Sequence, residues 1–225
     1  MPDGSLVVDR IETPIGELVL RRRGAHHEVI GNGVFLMDTR DGRSERLLVT
    51  AALQRHPKPR HVLIAGLGVG FSLRAAVEAA GVERVTVVEI APAIVAWHRT
   101  HLAPHSAGAL DDPRVDVVVD DIAAYLSKAL DTFDVICLDV DNGPQWTVHP
   151  SNAGLYDDSG TAQFAARLTP NGVVSVWSAD RNHNYETMLD RYFRQVEVTE
   201  VPVDRGRPDV VMTALNKPDP RWPDQ

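Results

Sequence analysis

Residues 62–70 read VLIAGLGVG, and this stretch decides the fold. Its apolar first half predicts a buried strand, and its three alternating glycines predict a tight turn into a helix. Because glycine has no Cβ, such a turn can adopt positive φ and lets a nucleotide lie against bare backbone. The dinucleotide fingerprint requires Gly or Ala where this chain has Phe71, so a nucleoside without a pyrophosphate fits better. We predict that Gly66, Gly68 and Gly70 contact that nucleoside.

From this stretch onward, apolar strands alternate with helices, which is typical of a parallel sheet covered on both faces. The predicted strands are 61–65, 84–89, 115–119, 133–139 and 172–178. The predicted helices are 72–80, 92–101, 122–129, 159–168 and 187–192. A last pair of strands, 195–203 and 210–215, is expected to form an antiparallel edge.

Upstream of this stretch the pattern is different. Residues 5–40 carry short runs of β-forming residues separated by turns, which predicts a small antiparallel element of three or four strands. Residues 43–55 have helical periodicity. Two prolines at 57 and 59 end that helix and form a linker.

Composition excludes several classes of protein. The chain has 225 residues, 31 of them acidic and 23 basic, for a formal net charge of -8. No basic face of the kind that binds nucleic acid is evident. The longest uncharged apolar stretch, 62–73, is too short and glycine-rich to cross a bilayer, and the first residues lack a signal-peptide pattern. The single cysteine, Cys137, is predicted to be buried and inert. We expect a cytoplasmic protein with no nucleic-acid or membrane partner.

Acidic residues end the second and third predicted strands. Glu89 lies nineteen residues after Gly70, where a carboxylate can accept both hydroxyls of a ribose. Asp120 and Asp121 end the third strand, where a carboxylate can accept a hydrogen bond from an exocyclic amine such as that of adenine. These residues and the glycine turn stand at the ends of consecutive strands. Together with Ile90 they predict a site for an adenosine-type ligand.

The fourth predicted strand ends in a further acidic pair. Asp139 follows the apolar run and is expected to point into the crevice above the strand ends, with Asp141 two residues on. Two carboxylates on one face perturb each other's pKa. Beside a cationic ligand they can accept a proton or pair an amine. The alternative interpretation is a helix cap or turn former.

The order of these motifs resembles that of the spermidine/spermine synthases, which are polyamine aminopropyltransferases. The motifs that carry the resemblance are VLIAGLGVGFSLR at 62–74, VEI at 88–90, DD at 120–121, FDVICLD at 133–139, GLY at 154–156 and LTPNG at 168–172. The turn TPIG at 13–16 is also similar to a turn in the N-terminal β-domain of that family. The resemblance covers most of residues 5–178.

The resemblance implies an α/β fold of the Rossmann-like class I S-adenosylmethionine-dependent methyltransferase type. Its sheet would be mostly parallel with seven strands, preceded by a small N-terminal β element. On this basis we divide the chain into a small N-terminal β-hairpin element plus helix at 1–57, a Rossmann-like nucleoside-binding domain at 58–217 and a tail at 218–225.

The resemblance also implies roles for single residues. The co-substrate would be decarboxylated S-adenosylmethionine or S-adenosylmethionine itself, with Glu89 on the ribose and Asp121 on the adenine amine. Asp139 would deprotonate a small, putrescine-like amine, and Asp141 and Tyr156 would lie on the substrate side. The amine would take the aminopropyl group, and methylthioadenosine would leave. No metal is predicted, and a homodimer is left open.

Three segments depart from the family pattern. Val69 stands where the family has an aspartate that contacts the amine end of the donor. The segment 44–46 lacks the tyrosine with which the family helps to hold the polyamine, and 140–144 replaces a Ser/Thr-rich stretch ending in Asp-Pro. Two alternatives therefore stay open. They are an S-adenosylmethionine-dependent methyltransferase on the same fold and a nucleoside-binding protein without transfer activity.

Overall fold

A computed structural model describes residues 4–13, 16–147, 150–204 and 206–218 of the chain. Its strands are β1 Ser5–Thr13, β2 Gly16–Arg23, β3 His26–Gly31, β4 Val34–Asp38, β5 His61–Ala65, β6 Arg84–Glu89, β7 Val115–Val119, β8 Phe133–Leu138, β9 Leu168–Ser178, β10 Arg194–Val201 and β11 Asp209–Leu215. Its α-helices are α1 Arg43–Arg55, α2 Phe71–Glu78, α3 Pro92–His98, α4 Ile122–Lys128, α5 Asp158–Arg167 and α6 His183–Tyr192. Short 3₁₀ helices form at Ala109–Asp111 and Pro150–Leu155. None of the described helices has the length and apolar character needed to span a membrane.

A seven-stranded sheet in the order β10-β11-β9-β8-β5-β6-β7 forms the centre of the molecule. The neighbours from β9 to β7 are parallel, whereas β10 and β11 add an antiparallel edge. Successive residues of a strand point to opposite faces. Ile64 therefore packs into the core on one face of the sheet and Leu63 into the core on the other. The predicted Rossmann-like α/β fold is confirmed.

The N-terminal residues form a separate antiparallel sheet in the order β1-β2-β3-β4, which confirms the predicted small β element. Helix α1 packs on α2, β9 and β11. The predicted domain division assigns this helix to the N-terminal element at 1–57, yet the helix packs against the large sheet. The domain boundaries themselves stay a prediction. Two predicted features, the middle of the turn at 13–16 and the end of the tail at 218–225, lie outside the described residues.

Two elements begin four residues earlier than predicted, and α3 ends at His98 and not at residue 101. Strand β9 begins at Leu168, not at residue 172, because Leu168 pairs with Phe133 before an irregularity in the register. Helix α6 begins at His183, four residues earlier than predicted. The Asn182 side chain accepts a hydrogen bond from the Tyr185 N–H at 3.0 Å and so caps the helix. The predicted burial of Cys137 is confirmed, since its side chain is fully buried.

Candidate active site

A cleft lies at the carboxyl ends of β5, β6, β7 and β8. It is the crevice expected at the point where chain connections diverge from the first strand of an open parallel sheet. Most of the predicted site residues meet there: Gly66, Gly68, Glu89, Ile90, Asp120, Asp121, Asp139 and Asp141 line the cleft. The N-terminal sheet and its turns close the opposite side, with Leu18, Asn32 and Met37 among the lining residues. Residues from separate strand ends thus form one site.

The glycine turn after β5 has the conformation that its sequence predicts. Gly66 and Gly68 adopt φ values of 90° and 52°. The Nε2–H of His98, the last residue of α3, donates to the Gly68 carbonyl at 3.0 Å and so fixes the turn to that helix. Gly70 is not among the described lining residues of the cleft. It packs against His98 and Ser106, since a Cβ at this position would lie 2.6 Å from His98 Cε1 and 2.7 Å from Ser106 Cβ. Its contact with a nucleoside stays a prediction.

Glu89 is almost fully buried and joins the glycine turn to the end of β6. Its Oε2 accepts the Leu67 N–H at 2.8 Å, and its Oε1 accepts the Ala91 N–H at 2.8 Å. Burial raises the pKa of this carboxyl above its usual range, against the lowering effect of the two backbone donors. Each carboxylate oxygen keeps a second lone pair for a ligand hydroxyl.

Asp120 and Asp121 line the cleft at the end of β7. The Asp121 Oδ1 accepts the Ala124 N–H at 2.9 Å and caps the start of α4. The Asp120 Oδ1 accepts the Asp121 N–H at 2.9 Å. Asp121 therefore serves the helix and faces the cleft at the same time, so one side chain can fill both roles.

Asp139 is the first residue after β8 and is half-buried in the cleft. Its N–H donates to the Ala65 carbonyl at 2.8 Å, which fixes its backbone beside the glycine turn. The Ser72 hydroxyl donates to Asp139 Oδ2 at 2.6 Å. Burial raises the pKa of Asp139 to about 6, although the Ser72 hydrogen bond lowers it. A carboxyl with this pKa can take up and release a proton near neutrality.

Asp141 enters the cleft in the left-handed backbone region, with φ of 54°. The Asn152 amide donates to its Oδ2 at 2.5 Å. Tyr156 stands behind this loop, where its hydroxyl donates to the Val140 carbonyl at 3.0 Å and its ring packs edge-on against Tyr185. Tyr156 does not appear among the described lining residues of the cleft, and its predicted substrate contact stays a prediction.

A second acidic group behind Asp139 was not among the predicted site residues. Burial, and then the nearby Asp139, raise the pKa of Glu45 to about 7. The Ser44 hydroxyl lies 3.0 Å from Glu45 Oε2 and 2.7 Å from Asp209 Oδ2. Burial also raises the pKa of Asp209. Residues 44–46 stand out in the sequence because they correspond to the polyamine-holding segment of the family. No sequence pattern predicts that Asp209, at the start of β11, lies beside them.

The charge of the cleft is one-sided. Six lining residues carry a carboxyl group, namely Glu17, Glu89, Asp120, Asp121, Asp139 and Asp141. Among the described lining residues there is no Lys, Arg or His. Glu17 is paired with Arg10 on the outer side. Within the described parts of the chain, no three His, Cys, Asp or Glu side chains are arranged to hold a metal ion. The acidic lining therefore favours cationic ligands and disfavours phosphates.

The sequence matches the family model of the spermine/spermidine synthase domain over residues 43–203. Polyamine aminopropyltransferase 2 of Pseudomonas aeruginosa is 36% identical over 142 residues, which are 61% of this chain and 39% of the relative. Polyamine aminopropyltransferase of Klebsiella pneumoniae strain 342 is 40% identical over 165 residues, which are 70% of this chain and 55% of the relative. The match thus spans about half the length of these relatives.

Two solved structures share the fold. A spermidine synthase in complex with the transition-state analogue AdoDATO superimposes with a TM-score of 0.81 at 21% identity, over 95% of this chain and 75% of that one. The spermidine synthase of Thermotoga maritima gives a TM-score of 0.78 at 20% identity, over 97% of this chain and 75% of that one. These likenesses extend the agreement in architecture to nearly all of the chain.

Proposed function

The chain belongs to the spermine/spermidine synthase family, and we propose from this that it moves an aminopropyl group from decarboxylated S-adenosylmethionine to a small amine. The observation that carries the proposal is the charge of the cleft, which is lined by six carboxyl-bearing residues and, among the described residues, no basic one. A sulfonium donor and an amine acceptor are both cations. A cleft of this charge attracts both.

The donor side is built from the glycine turn and the strand ends. Gly66, Gly68, Glu89 and Asp121 all line the cleft. We assign the glycine backbone to the nucleoside, Glu89 to the ribose and Asp121 to the adenine amine. S-adenosylmethionine carries a carboxylate in its tail that the decarboxylated form lacks. Asp139 and Asp141 would repel that carboxylate, so the cleft supports the decarboxylated donor.

The chemistry needs one proton acceptor and one displacement. Asp139 takes a proton from the acceptor amine, and the freed nitrogen attacks the aminopropyl carbon beside the sulfonium. A C–N bond forms as the C–S bond breaks, and the electron pair of that bond returns to sulfur. Methylthioadenosine leaves as a neutral thioether. Because Ser72 holds Asp139 Oδ2, we assign Oδ1 to the incoming proton.

The acceptor side extends toward α1 and β11. Glu45 lies close enough to Asp139 that, after burial, the Asp139 carboxylate raises the pKa of Glu45, and the Ser44 hydroxyl links Glu45 to Asp209. A cation placed between such carboxyls relieves their repulsion. The arrangement supports an acceptor with a second ammonium, such as putrescine, whose far end would lie near this group.

One observation favours a second candidate, methyl transfer from S-adenosylmethionine. The glycine turn carries Val69, which is 3% exposed and packs into the apolar core. It supplies no carboxylate to the ammonium of a decarboxylated donor. The same fold hosts methyltransferases, and fold alone does not decide between the two activities.

The test is a calorimetric titration of the protein with S-adenosylmethionine, its decarboxylated form and methylthioadenosine. It is followed by incubation of each donor with putrescine, spermidine and shorter diamines. We expect tighter binding of the decarboxylated donor, and methylthioadenosine in amounts equal to the amine consumed. Tighter binding of S-adenosylmethionine with release of S-adenosylhomocysteine would support methyl transfer. Binding of methylthioadenosine without consumption of any amine would overturn the transferase proposal.

A further inference from the structure

Ser72 stands at the meeting point of α1, α2 and the end of β8. It is the second residue of α2 and is 1% exposed. Its hydroxyl oxygen lies 2.6 Å from Asp139 Oδ2 and 3.3 Å from the Glu45 carbonyl oxygen. A hydroxyl has one hydrogen, and the shorter distance together with the ionisable acceptor places it on Asp139.

We propose that Ser72 is a positioning residue for Asp139, which it holds by Oδ2 so that Oδ1 faces the cleft. This inference rests on the proposed function, since it concerns the carboxyl group that takes the acceptor's proton. Position 72 lies within the glycine-rich motif 62–74, but no role for this serine is predicted from the sequence. The contact became visible once α2 and β8 were placed side by side.

The surroundings of Asp139 leave few other groups for this task. The ionisable groups that face it are Glu45 from α1, Glu89 from β6, Cys137 from β8 and Tyr156 from beyond the 3₁₀ helix. Each of them is acidic. Among the described residues, no salt bridge involves Asp139, and Ser72 is the side chain that donates to its carboxyl. Without that donor, the ionised form of Asp139 loses its stabilising hydrogen bond.

Ser72 has no competing role at the start of its helix. A serine at the N-cap position of a helix commonly accepts hydrogen bonds from the exposed backbone N–H groups. Here Gly70 occupies the cap position, and no side chain makes a capping hydrogen bond to α2. The Ser72 hydroxyl points instead out of the helix toward Asp139. Loss of the Ser72 hydroxyl therefore affects the ionisation of the Asp139 carboxyl group more than it affects the stability of α2.

The first test measures Asp139 itself and needs no enzymatic activity. The titration of its carboxyl carbon is followed by NMR in protein labelled with carbon-13 at the aspartate carboxyl groups, with Asp139→Asn identifying the signal. In Ser72→Ala we expect the midpoint to rise by about one pH unit, because a hydrogen bond to a charged group is lost. Ser72→Thr keeps the hydroxyl and should restore the wild-type midpoint.

The matched control is Ser175→Ala. Ser175 is fully buried on β9, and its hydroxyl has no hydrogen-bond partner among the described residues. This variant loses a buried hydroxyl without losing a hydrogen bond to Asp139, so its midpoint should equal that of the wild type. If Ser72→Ala fails to fold, Ser72→Cys retains the shape with a weak donor. An unchanged midpoint in Ser72→Ala, or in Ser72→Cys if the alanine variant does not fold, overturns the inference.

The second test is the pH dependence of kcat/KM for the acceptor at saturating donor. In Ser72→Ala the acid limb of the profile should shift to higher pH by the same amount as the NMR midpoint. The variant should then be about tenfold slower than the wild type on the acid side and equal to it on the alkaline plateau. A rate loss that is equal at every pH, with the acid limb unmoved, would mean that Ser72 does not stabilise the ionised form of Asp139 and would overturn the inference. If the NMR midpoint shifts but the wild type transfers nothing to any amine, the proposed function fails, while the hold of Ser72 on Asp139 stands.

Discussion

Gly66 lies directly against Asp139. A Cβ added to Gly66 would stand 2.1 Å from the Asp139 carbonyl oxygen, and the residue has φ of 90°. The Asp139 N–H in turn donates to the Ala65 carbonyl at 2.8 Å. The turn that we propose as the nucleoside site therefore also fixes the backbone of Asp139.

Gly66→Ala should destabilise the protein and disturb the site. An alanine there would have to hold positive φ and push against the backbone of Asp139, which costs about 2 kcal/mol or more. We expect the Tm to fall by roughly 5 °C or more in a thermal melt, and methylthioadenosine binding to weaken in calorimetry.

Gly154→Ala is the matched control for this substitution. Gly154 has nothing within 4 Å of an added Cβ, and its φ is not positive. Its Tm and its affinity should match those of the wild type. Equal behaviour of the two alanine variants would contradict the close packing of Gly66 on Asp139.

The sheet and its strand ends were predictable from the sequence because they follow from local patterns. The apolar runs of β5 and β6 are bounded by polar residues or glycine, and their limits match the predicted ones. Parallel strands bring their carboxyl ends to one edge, so Glu89, Asp121 and Asp139 were expected in one cleft and lie there. The start of β9 was missed because Pro170 and Gly172 have the composition of a turn.

The inner part of the site could not be predicted in the same way. Asp209, from β11, contacts the Ser44 hydroxyl. Ser72 and Glu45 come from α2 and α1, and their approach to Asp139 depends on how the two helices pack on the sheet. No spacing in the chain encodes that approach. Asn152 was missed for a similar reason, since its contact with Asp141 follows from the path of the loop after β8.

Glu89→Gln should weaken every adenosine ligand alike. The amide would set an NH₂ group against the backbone N–H of Leu67 or Ala91, which now donate to the carboxylate. The ribose would also lose an acceptor. The expected loss is about 10- to 100-fold in affinity, or roughly 1–3 kcal/mol. Calorimetry with S-adenosylmethionine and methylthioadenosine checks this, and unchanged affinity for both would remove Glu89 from the site.

Asp139→Asn should separate catalysis from donor binding. The amide keeps the shape of the carboxyl group but cannot take a proton, so kcat should fall by about 100-fold or more with little change in donor affinity. Because the active form is the ionised one and the pKa is raised to about 6, the wild-type rate should fall as the pH drops through 6. Full turnover in the variant would make Asp139 structural and Asp141 the next candidate.

Glu45→Gln should raise stability at alkaline pH. The pKa of Glu45 is raised to about 7 in the folded protein from 4.5, so the folded state binds the proton more tightly than the unfolded state does. Stability from this group is therefore lost as the pH rises between about 4.5 and 7. For a half-buried carboxyl we expect a gain of about 1–2 kcal/mol at pH 8 and little at pH 4.

Thermal or urea unfolding at the two pH values measures this difference. The control is Glu83→Gln, a substitution at an exposed position in the turn before β6. A gain in Glu45→Gln that is the same at pH 4 and pH 8 would show that packing, and not charge, is responsible.

Asn152→Ala should affect the acceptor and spare the donor. The Asn152 amide holds Asp141 Oδ2 at 2.5 Å, on a residue whose backbone lies in the left-handed region. Without this contact the Asp141 carboxylate is no longer fixed in the cleft. We expect KM for the amine to rise about tenfold, with kcat and donor affinity changed little.

Gln145→Ala tests whether this effect is specific to Asn152. Gln145 stands in the loop that carries Asp141 and donates from its amide to the Arg181 carbonyl at 2.7 Å, but it is not among the described lining residues of the cleft. Its loss removes an equivalent hydrogen bond without touching Asp141, so KM should stay at the wild-type value. If both variants raise KM equally, loop order is the cause. If Asn152→Ala lowers kcat and leaves KM unchanged, Asp141 acts in the chemical step and does not hold the acceptor.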